Sequence, residues 1–288
     1  MDELVLNAYA KINLSLDVVG KLENGYHLVR MIMQTVGIFD VLRFRRTEGE
    51  IRITSDAGDL PLGEDNLIYK AAALMKEEYG IRGGIAVHLE KNIPVAAGMA
   101  GGSTDGAATL KAMNLLYDLG LSEEELCRQG VRLGADVPYC IMGGTALSEG
   151  IGEVLTPLPP MPECVLLVAK PEISVSTKYV YEQLDSREIA VHPDVDGMRM
   201  AIEGQDVAGV IKRLGNVLET VTIDKYPIVN DIKQAMLEAG ALGSLMSGSG
   251  PTVFGIFTKE DAARAAGEKI GEMGLARQIF VTAPVSGR

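Results

Sequence analysis

Residues 94–108 read Pro94-Val95-Ala96-Ala97-Gly98-Met99-Ala100-Gly101-Gly102-Ser103-Thr104-Asp105-Gly106-Ala107-Ala108. An alternating run, Ile85 to Leu89, precedes this stretch and a helical pattern follows it, so it joins a strand to a helix. Glycine lets backbone N–H groups come close to a ligand, and a helix N-terminus adds unpaired donors and the positive end of a dipole. Such a loop suits a phosphate. It lacks the Gly-Lys-Ser/Thr ending of a Walker A loop and the Gly-x-Gly-x-x-Gly spacing of a dinucleotide-binding turn. The same composition also serves a plain tight connection between strand and helix, so the choice falls to the rest of the chain.

A length of 288 residues predicts about two domains. With 47% hydrophobic and 23% charged residues the chain is globular rather than disordered. The net charge of −12, with no run of Lys or Arg, argues against nucleic acid or an anionic membrane as partner. A single phosphorylated small molecule stays open, because a few local cations and backbone donors suffice. The most apolar runs, such as Cys164 to Ala169, fall far short of the ~20 residues that span a membrane. Met1-Asp2-Glu3 leads into no signal-like apolar core. Cys127, Cys140 and Cys164 have no ligand-like spacing and are expected to be core thiols in a reducing cytoplasm. With only three histidines and no Cys-x-x-Cys, a zinc site is not expected.

Periodicity organises the remainder. Leu4 to Leu6, Ile12 to Val19, Val41 to Phe44 and Ile51 to Thr54 alternate as strands, and Asn66 to Tyr79 turns to helical spacing. After the glycine loop Ser103 is the expected N-cap of a helix running to about Leu119. Ser122-Glu123-Glu124-Glu125 is a capping box opening a helix that Gly134 closes. Pro138 biases Val137 away from helix, which puts Asp136 at a sharp helix exit. Thr156-Pro157-Leu158-Pro159-Pro160-Met161-Pro162 is the linker candidate, dividing the chain into domains 1–156 and 163–288. Beyond it a strand (164–169), helices at 176–184, 197–214 and 228–239, a strand (252–257), a helix (259–273) and a strand (278–282) predict an α+β layer.

Four further places carry chemistry, each weak alone. Lys11 is a lone cation in the apolar run Ala8 to Leu16, where an edge-strand lysine with its head in solvent is the bland alternative. Gly25-Tyr26-His27 follows a turn, Asp136 stands at the helix exit, and Ser247-Gly248-Ser249-Gly250-Pro251 is a second glycine-rich turn.

The order Lys11, Pro94-x-x-x-Gly98 with Gly101-Gly102-Ser103, Asp136 and Gly243 to Pro251 resembles the GHMP small-molecule kinases over nearly the whole chain. Most of that superfamily carries Gly-Leu-x-Ser-Ser-Ala in the loop. Met99 with Gly101-Gly102-Ser103-Thr104-Asp105, together with Ala10 to Leu14, Gly25-Tyr26-His27 and Gly134 to Pro138, is similar to the branch acting on cytidyl-diphosphate methylerythritol. The resemblance implies an α+β, two-domain GHMP kinase fold. Its N-terminal domain would be like domain 2 of ribosomal protein S5, with a left-handed β-α-β crossover, and its C-terminal domain ferredoxin-like.

By the same resemblance the activity is transfer of the γ-phosphoryl of ATP, a co-substrate accompanied by Mg2+, to the 2-hydroxyl of that cytidyl compound, in isoprenoid precursor biosynthesis. Pro94, Val95, Ala96, Ala97, Gly98, Met99, Ala100, Gly101, Gly102, Ser103 and Thr104 would hold ATP, with Asn66 near adenine or serving only as an N-cap. Asp136 would be the general base with Lys11 beside it. Tyr26 would stack on cytosine, His27 would bond its edge, Asn13 would lie near the reacting end, and Thr177 and Tyr181 would close the pocket. Ser103 offers magnesium a hydroxyl, no carboxylate ligand emerges, and Asp105 can instead favour the helix N-terminus. A monomer or weak homodimer in the cytoplasm goes with this picture. A mevalonate- or homoserine-type GHMP kinase and a non-catalytic GHMP-like sensor are the alternatives. A dinucleotide-binding dehydrogenase fails for want of its glycine turn.

Overall fold

Alternating residues in the first third form two long strands rather than several short ones. The computed structural model describes residues 2–58 and 60–287. In it β1 (Glu3–Lys21) absorbs both early runs and β2 (His27–Thr47) absorbs the third. Along β1 the apolar Ala10, Ile12, Leu14 and Leu16 alternate with Lys11, Asn13, Ser15 and Asp17, and all eight are buried. A strand has a period of two, so one face of β1 is a buried polar row. Buried polar groups cost free energy unless they find partners, so this row is where a site is expected.

The next elements are β3 (Ile51–Ser55), α1 (Leu67–Glu78) and β4 (Gly84–Glu90). Helices α2 (Gly101–Leu116), α3 (Glu123–Val131) and α4 (Val137–Met142) follow. Then come β5 (Thr145–Glu149), β6 (Val154–Leu158), β7 (Val165–Lys170), α5 (Thr177–Leu184), α6 (Val195–Glu203) and α7 (Val207–Lys212). The chain closes with β8 (Gly215–Asn216), α8 (Glu219–Lys225), α9 (Ile228–Glu238), β9 (Gly243–Met246), β10 (Val253–Phe257), α10 (Glu260–Glu272) and β11 (Gln278–Thr282).

Two compact units result. One comprises Met1–Ala10, Ile38–Val95 and Ala100–Met142; the other comprises Lys11–Gly37, Ala96–Met99 and Gly143–Arg288. In the first, β4 pairs antiparallel with β2 (Phe44 opposite Val87) and parallel with β3 (Ile53 opposite Val87), so β3-α1-β4 forms a β-α-β connection. Its core joins Leu42, Phe44, Ile85 and Leu89 of the strands to Ile68 and Met75 of α1 and Leu110 and Met113 of α2. A Cβ on Gly106 would stand 3.3 Å from the Leu67 Cβ, so glycine there lets α1 and α2 approach. In the second unit β11-β7-β10-β9 form an antiparallel sheet on which α9 and α10 pack, the α+β layer expected. There β5 joins β2 to β6, and β8 runs parallel to β1, with Ser15 opposite Gly215.

Several local expectations change. α2 begins at Gly101 with Ala100 as N-cap, so Ser103 sits inside the first turn and caps nothing. Val137 starts α4 despite Pro138, because proline's missing N–H is not needed in a first turn, so Asp136 lies in the short link between α3 and α4, directly before α4. The helix foreseen at 197–214 is two, split where Gln205 turns left-handed (φ 54°) and Asp206 caps α7 by accepting from Gly209 N–H. Thr156 to Leu158 belong to β6, whose single partner is β5, and an edge position tolerates Pro157. The capping box at Ser122 and Glu125 forms as expected. The three cysteines form no disulfide and are only partly buried, and burial pushes the thiols of Cys127 and Cys164 up to about 11. Among the described residues no helix is long and apolar enough to cross a membrane.

Candidate active site

The glycine loop is shaped by alternate left-handed residues. Ala96 (φ 50°), Gly98 (φ 72°) and Ala100 (φ 58°) have positive φ, a conformation alanine rarely adopts and one that stores strain. Ala100 then admits Gly101 to the helix with no side chain capping the first turn. Three small residues, Gly101, Gly102 and Ser103, therefore open α2 with backbone donors at the positive end of the helix dipole.

In the first unit the start of α2 lies against a buried charged cluster. Asp40 accepts from the backbone N–H of Asn92 (2.6 Å) and Ile93 (2.7 Å) and from the Lys91 ammonium. Lys91 also pairs with Asp105 at 3.2 Å, and all three side chains are almost wholly buried. Asp105 thus points into an ion cluster rather than serving the helix N-terminus. Burial pushes its carboxyl well above the usual carboxylate range, against the pull of Lys91 and with the push of Asp40. A Cβ on Gly101 would meet the Lys91 Nζ at 3.0 Å, so the cluster abuts the start of α2. Asn66 caps α1: its Oδ1 accepts from Ile68 N–H at 2.8 Å and its Nδ2 donates to Pro61 O at 2.8 Å. Asp136 is half-buried, and its carbonyl accepts from Cys140 N–H at 3.0 Å.

The second unit holds residues 96–99 and most of the remaining candidates. Lys11 is buried, not an edge lysine in solvent, and its Nζ donates to Asn13 Oδ1 at 2.8 Å. Lys11 N–H donates to Met99 O at 3.2 Å. Ser247 Oγ accepts from Asn13 N–H at 3.3 Å and donates to Gly98 O at 3.0 Å. A Cβ on Gly98 would stand 2.2 Å from Ser247 O, so the two glycine-rich turns meet backbone to backbone. Asn216 Nδ2 holds the second turn by donating to Met246 O (2.9 Å) and Gly248 O (2.8 Å), and Thr222 Oγ1 donates to Ser249 O at 3.1 Å. Thr177 and Ser249 share a hydroxyl hydrogen bond of 2.8 Å.

A second group gathers around the β1–β2 turn. Tyr26 is exposed (58%), and the His27 and Tyr181 rings lie 4.8 Å apart at 31°. His27 Nε2 is 2.6 Å from Asp185 Oδ1, and Lys21 bonds the other oxygen of that carboxylate. Lys21, then His27, hold the Asp185 carboxyl below the usual range. The expected residues thus meet in part: Lys11 with Asn13, Asn13 with the Gly98 loop through Ser247, Thr177 with the second turn, and His27 with Tyr181. Asp185, Asn216, Thr222, Asp40 and Lys91 were not foreseen. The partners named for them lie 14–164 positions away, and isolated Asp, Asn, Thr and Lys carry no motif of their own.

Two family models match this chain. The one described as GHMP kinases N terminal domain covers residues 66–144, and the one described as GHMP kinases C terminal covers residues 198–275. A 4-diphosphocytidyl-2-C-methyl-D-erythritol kinase of Lachnospira eligens is 56% identical over 283 residues, which is 98% of each chain. Another of that description, from Lachnoclostridium phytofermentans, is 53% identical over 285 residues, 98% of this chain and 97% of its own. Among solved structures, a 4-(cytidine 5'-diphospho)-2C-methyl-D-erythritol kinase superposes with a TM-score of 0.84 at 31% identity, over 99% of this chain and 100% of that one. A homoserine kinase from Cytophaga hutchinsonii shares the fold at 24% identity (TM-score 0.81, over 100% of this chain and 96% of that one). The chain belongs to the GHMP kinases, in the family of the 4-diphosphocytidyl-2-C-methyl-D-erythritol kinases.

Proposed function

We propose that the chain transfers the γ-phosphoryl group of ATP to the 2-hydroxyl of 4-diphosphocytidyl-2-C-methyl-D-erythritol, the substrate class of its relatives. The observation that carries the residue assignment is the loop ending in the uncapped N-terminus of α2. Its left-handed residues and glycines leave the backbone as the donor surface. Phosphoryl transfer asks a protein mainly to position reactants and neutralise charge, and Pro94 to Thr104 are assigned that task toward ATP. Asn66 is assigned to the adenine side from its seat as N-cap of α1. Asp136 is assigned as the base that accepts the hydroxyl proton. Lys11, a buried cation on the polar row of β1, is assigned to counter negative charge at the reacting oxygen. Asn13, bonded to Lys11, would orient the substrate near that end. Tyr26, His27, Thr177 and Tyr181 are assigned to the cytidyl end.

Magnesium bridges and neutralises the phosphates of ATP in such reactions. Among the described residues no three His, Cys, Asp or Glu side chains gather as a cation site, and Asp105 is committed to Lys91. Magnesium is assigned to the nucleotide as part of the substrate complex.

A coupled assay of ADP release with and without the cytidyl substrate tests the function, and release independent of that substrate would overturn it. In the same assay Asp136→Asn is expected to lower kcat by ~10²–10⁴ while ATP still binds. Near-normal turnover would remove Asp136 as the base.

A further inference from the structure

Asp185 has no part in the assignments above, yet both of its carboxylate oxygens are engaged by the β1–β2 turn. It is the C-cap of α5, one helical turn beyond Tyr181, so the two residues share a helix face. Oδ1 meets His27 Nε2 at 2.6 Å, and Oδ2 meets the Lys21 ammonium. Lys21 ends β1 and His27 begins β2. The turn between them is closed on itself by Leu22 N–H to Tyr26 O (2.7 Å) and Gly25 N–H to Leu22 O (2.9 Å). A single carboxylate thus staples the hairpin bearing Tyr26 and His27 to the helix bearing Tyr181.

Stability does not account for this staple. The Lys21 and Asp185 side chains are 47% and 33% exposed, and ion pairs so placed add little to folding. Geometry is what they set. A carboxylate held ionised can only accept, so the imidazole nitrogen facing it must carry a proton. With Nε2 protonated, a neutral His27 presents Nδ1 as an acceptor. The exocyclic amine of cytosine is a donor, whereas uracil has an oxygen at that position.

We propose that Asp185 is a positioning residue for pyrimidine recognition, holding His27 against the Tyr181 ring with its proton on Nε2 so that Nδ1 accepts from an amino-pyrimidine edge. The inference rests on the assignment of Tyr26, His27 and Tyr181 to the cytidyl end. Asp185 acts through His27 and touches no reacting atom.

The test is steady-state kinetics of the full chain with Asp185→Ala, Asp185→Asn and Asp185→Glu, beside His27→Ala and Tyr181→Ala. For Asp185→Ala the expected result is a rise of roughly tenfold in KM for the cytidyl substrate, with kcat and KM for ATP within twofold. Its preference for the cytidyl over the uridyl analogue should fall. Asp185→Glu is expected to recover part of the loss. Asp185→Asn keeps the helix end and the volume, and covers the case in which the alanine variant folds poorly. Nitrogen NMR of the His27 ring should show the proton on Nε2 in the parent and a shift toward Nδ1 in Asp185→Ala. If His27→Ala and Tyr181→Ala leave KM for the cytidyl substrate unchanged, the pocket assignment falls and the inference with it. If those two raise it and the Asp185 variants do not, or if the Asp185 variants act on kcat or on KM for ATP, the inference alone is overturned.

Discussion

The loop from Pro94 to Ala100 and the cluster of Tyr26, His27, Tyr181 and Asp185 are built in opposite ways. The loop is backbone: left-handed residues and small side chains. The cluster is side chain: the exposed Tyr26 ring, the partly buried His27 and Tyr181 rings, and ion pairs that join segments up to 164 residues apart. The contrast suits the ligands proposed for them. A phosphate is alike on every nucleotide, and fixed N–H groups serve it; one base must be told from another, which takes distinct side-chain atoms.

The contrast can be broken experimentally, and the largest effect is expected at the ion cluster by the start of α2. Lys91→Met would leave two buried carboxylates without their cation and should cost about 3–5 kcal/mol in urea unfolding. Asp185→Ala, which removes an exposed pair, should cost less than about 1 kcal/mol by the same measurement. Equal losses would erase the distinction. Gly98→Ala comes next. Its Cβ would collide with Ser247 O at 2.2 Å in a left-handed position, a strain on the order of 2–3 kcal/mol. KM for ATP should rise at least tenfold while KM for the cytidyl substrate holds.

Tyr181→Ala reverses that pattern. Loss of ring stacking is expected to raise KM for the cytidyl substrate by about 1–2 kcal/mol, roughly 5- to 30-fold, and to spare ATP. An effect on ATP alone would remove Tyr181 from the base pocket. The smallest effect is a pH slope. The folded-state pKa of Asp105 stands above its unfolded value, so the folded chain binds a proton that the unfolded chain has released. Its contribution is complete below about pH 4 and is lost as pH rises through the folded value. Urea midpoints measured across that range should decline in the parent and lose that component in Asp105→Asn.

What could be read beforehand followed from locality. β4, β10, β11, α1, α9 and α10 stand within one or two residues of their periodic runs, because period and capping are properties of neighbours. β5, β6, β8, β9 and α8 were not foreseen; they are two to seven residues long and are fixed by partners elsewhere in the chain. The site divides along the same line. Glycine announces its left-handed freedom, so the loop was visible, but Ala96 and Ala100 adopt positive φ only because the surroundings impose it. The buried polar row Lys11, Asn13, Ser15 and Asp17 was present as a plain alternation, its meaning hidden until β1 was seen buried on both faces. Ser103 shows the converse: a good capping residue that the backbone passed over for Ala100.

Ser247 has a consequence for how the protein comes to life. Its hydroxyl ties Asn13 and Gly98 together, yet it lies 234 and 149 residues downstream of them. On a ribosome, where chains emerge from the N-terminus and early segments fold first, the glycine loop is made long before the oxygen that holds its carbonyl. A nascent or truncated chain ending before residue 247 carries the loop without its clasp. If the loop takes the phosphates as proposed, competence toward nucleotide is among the last properties the growing polypeptide acquires.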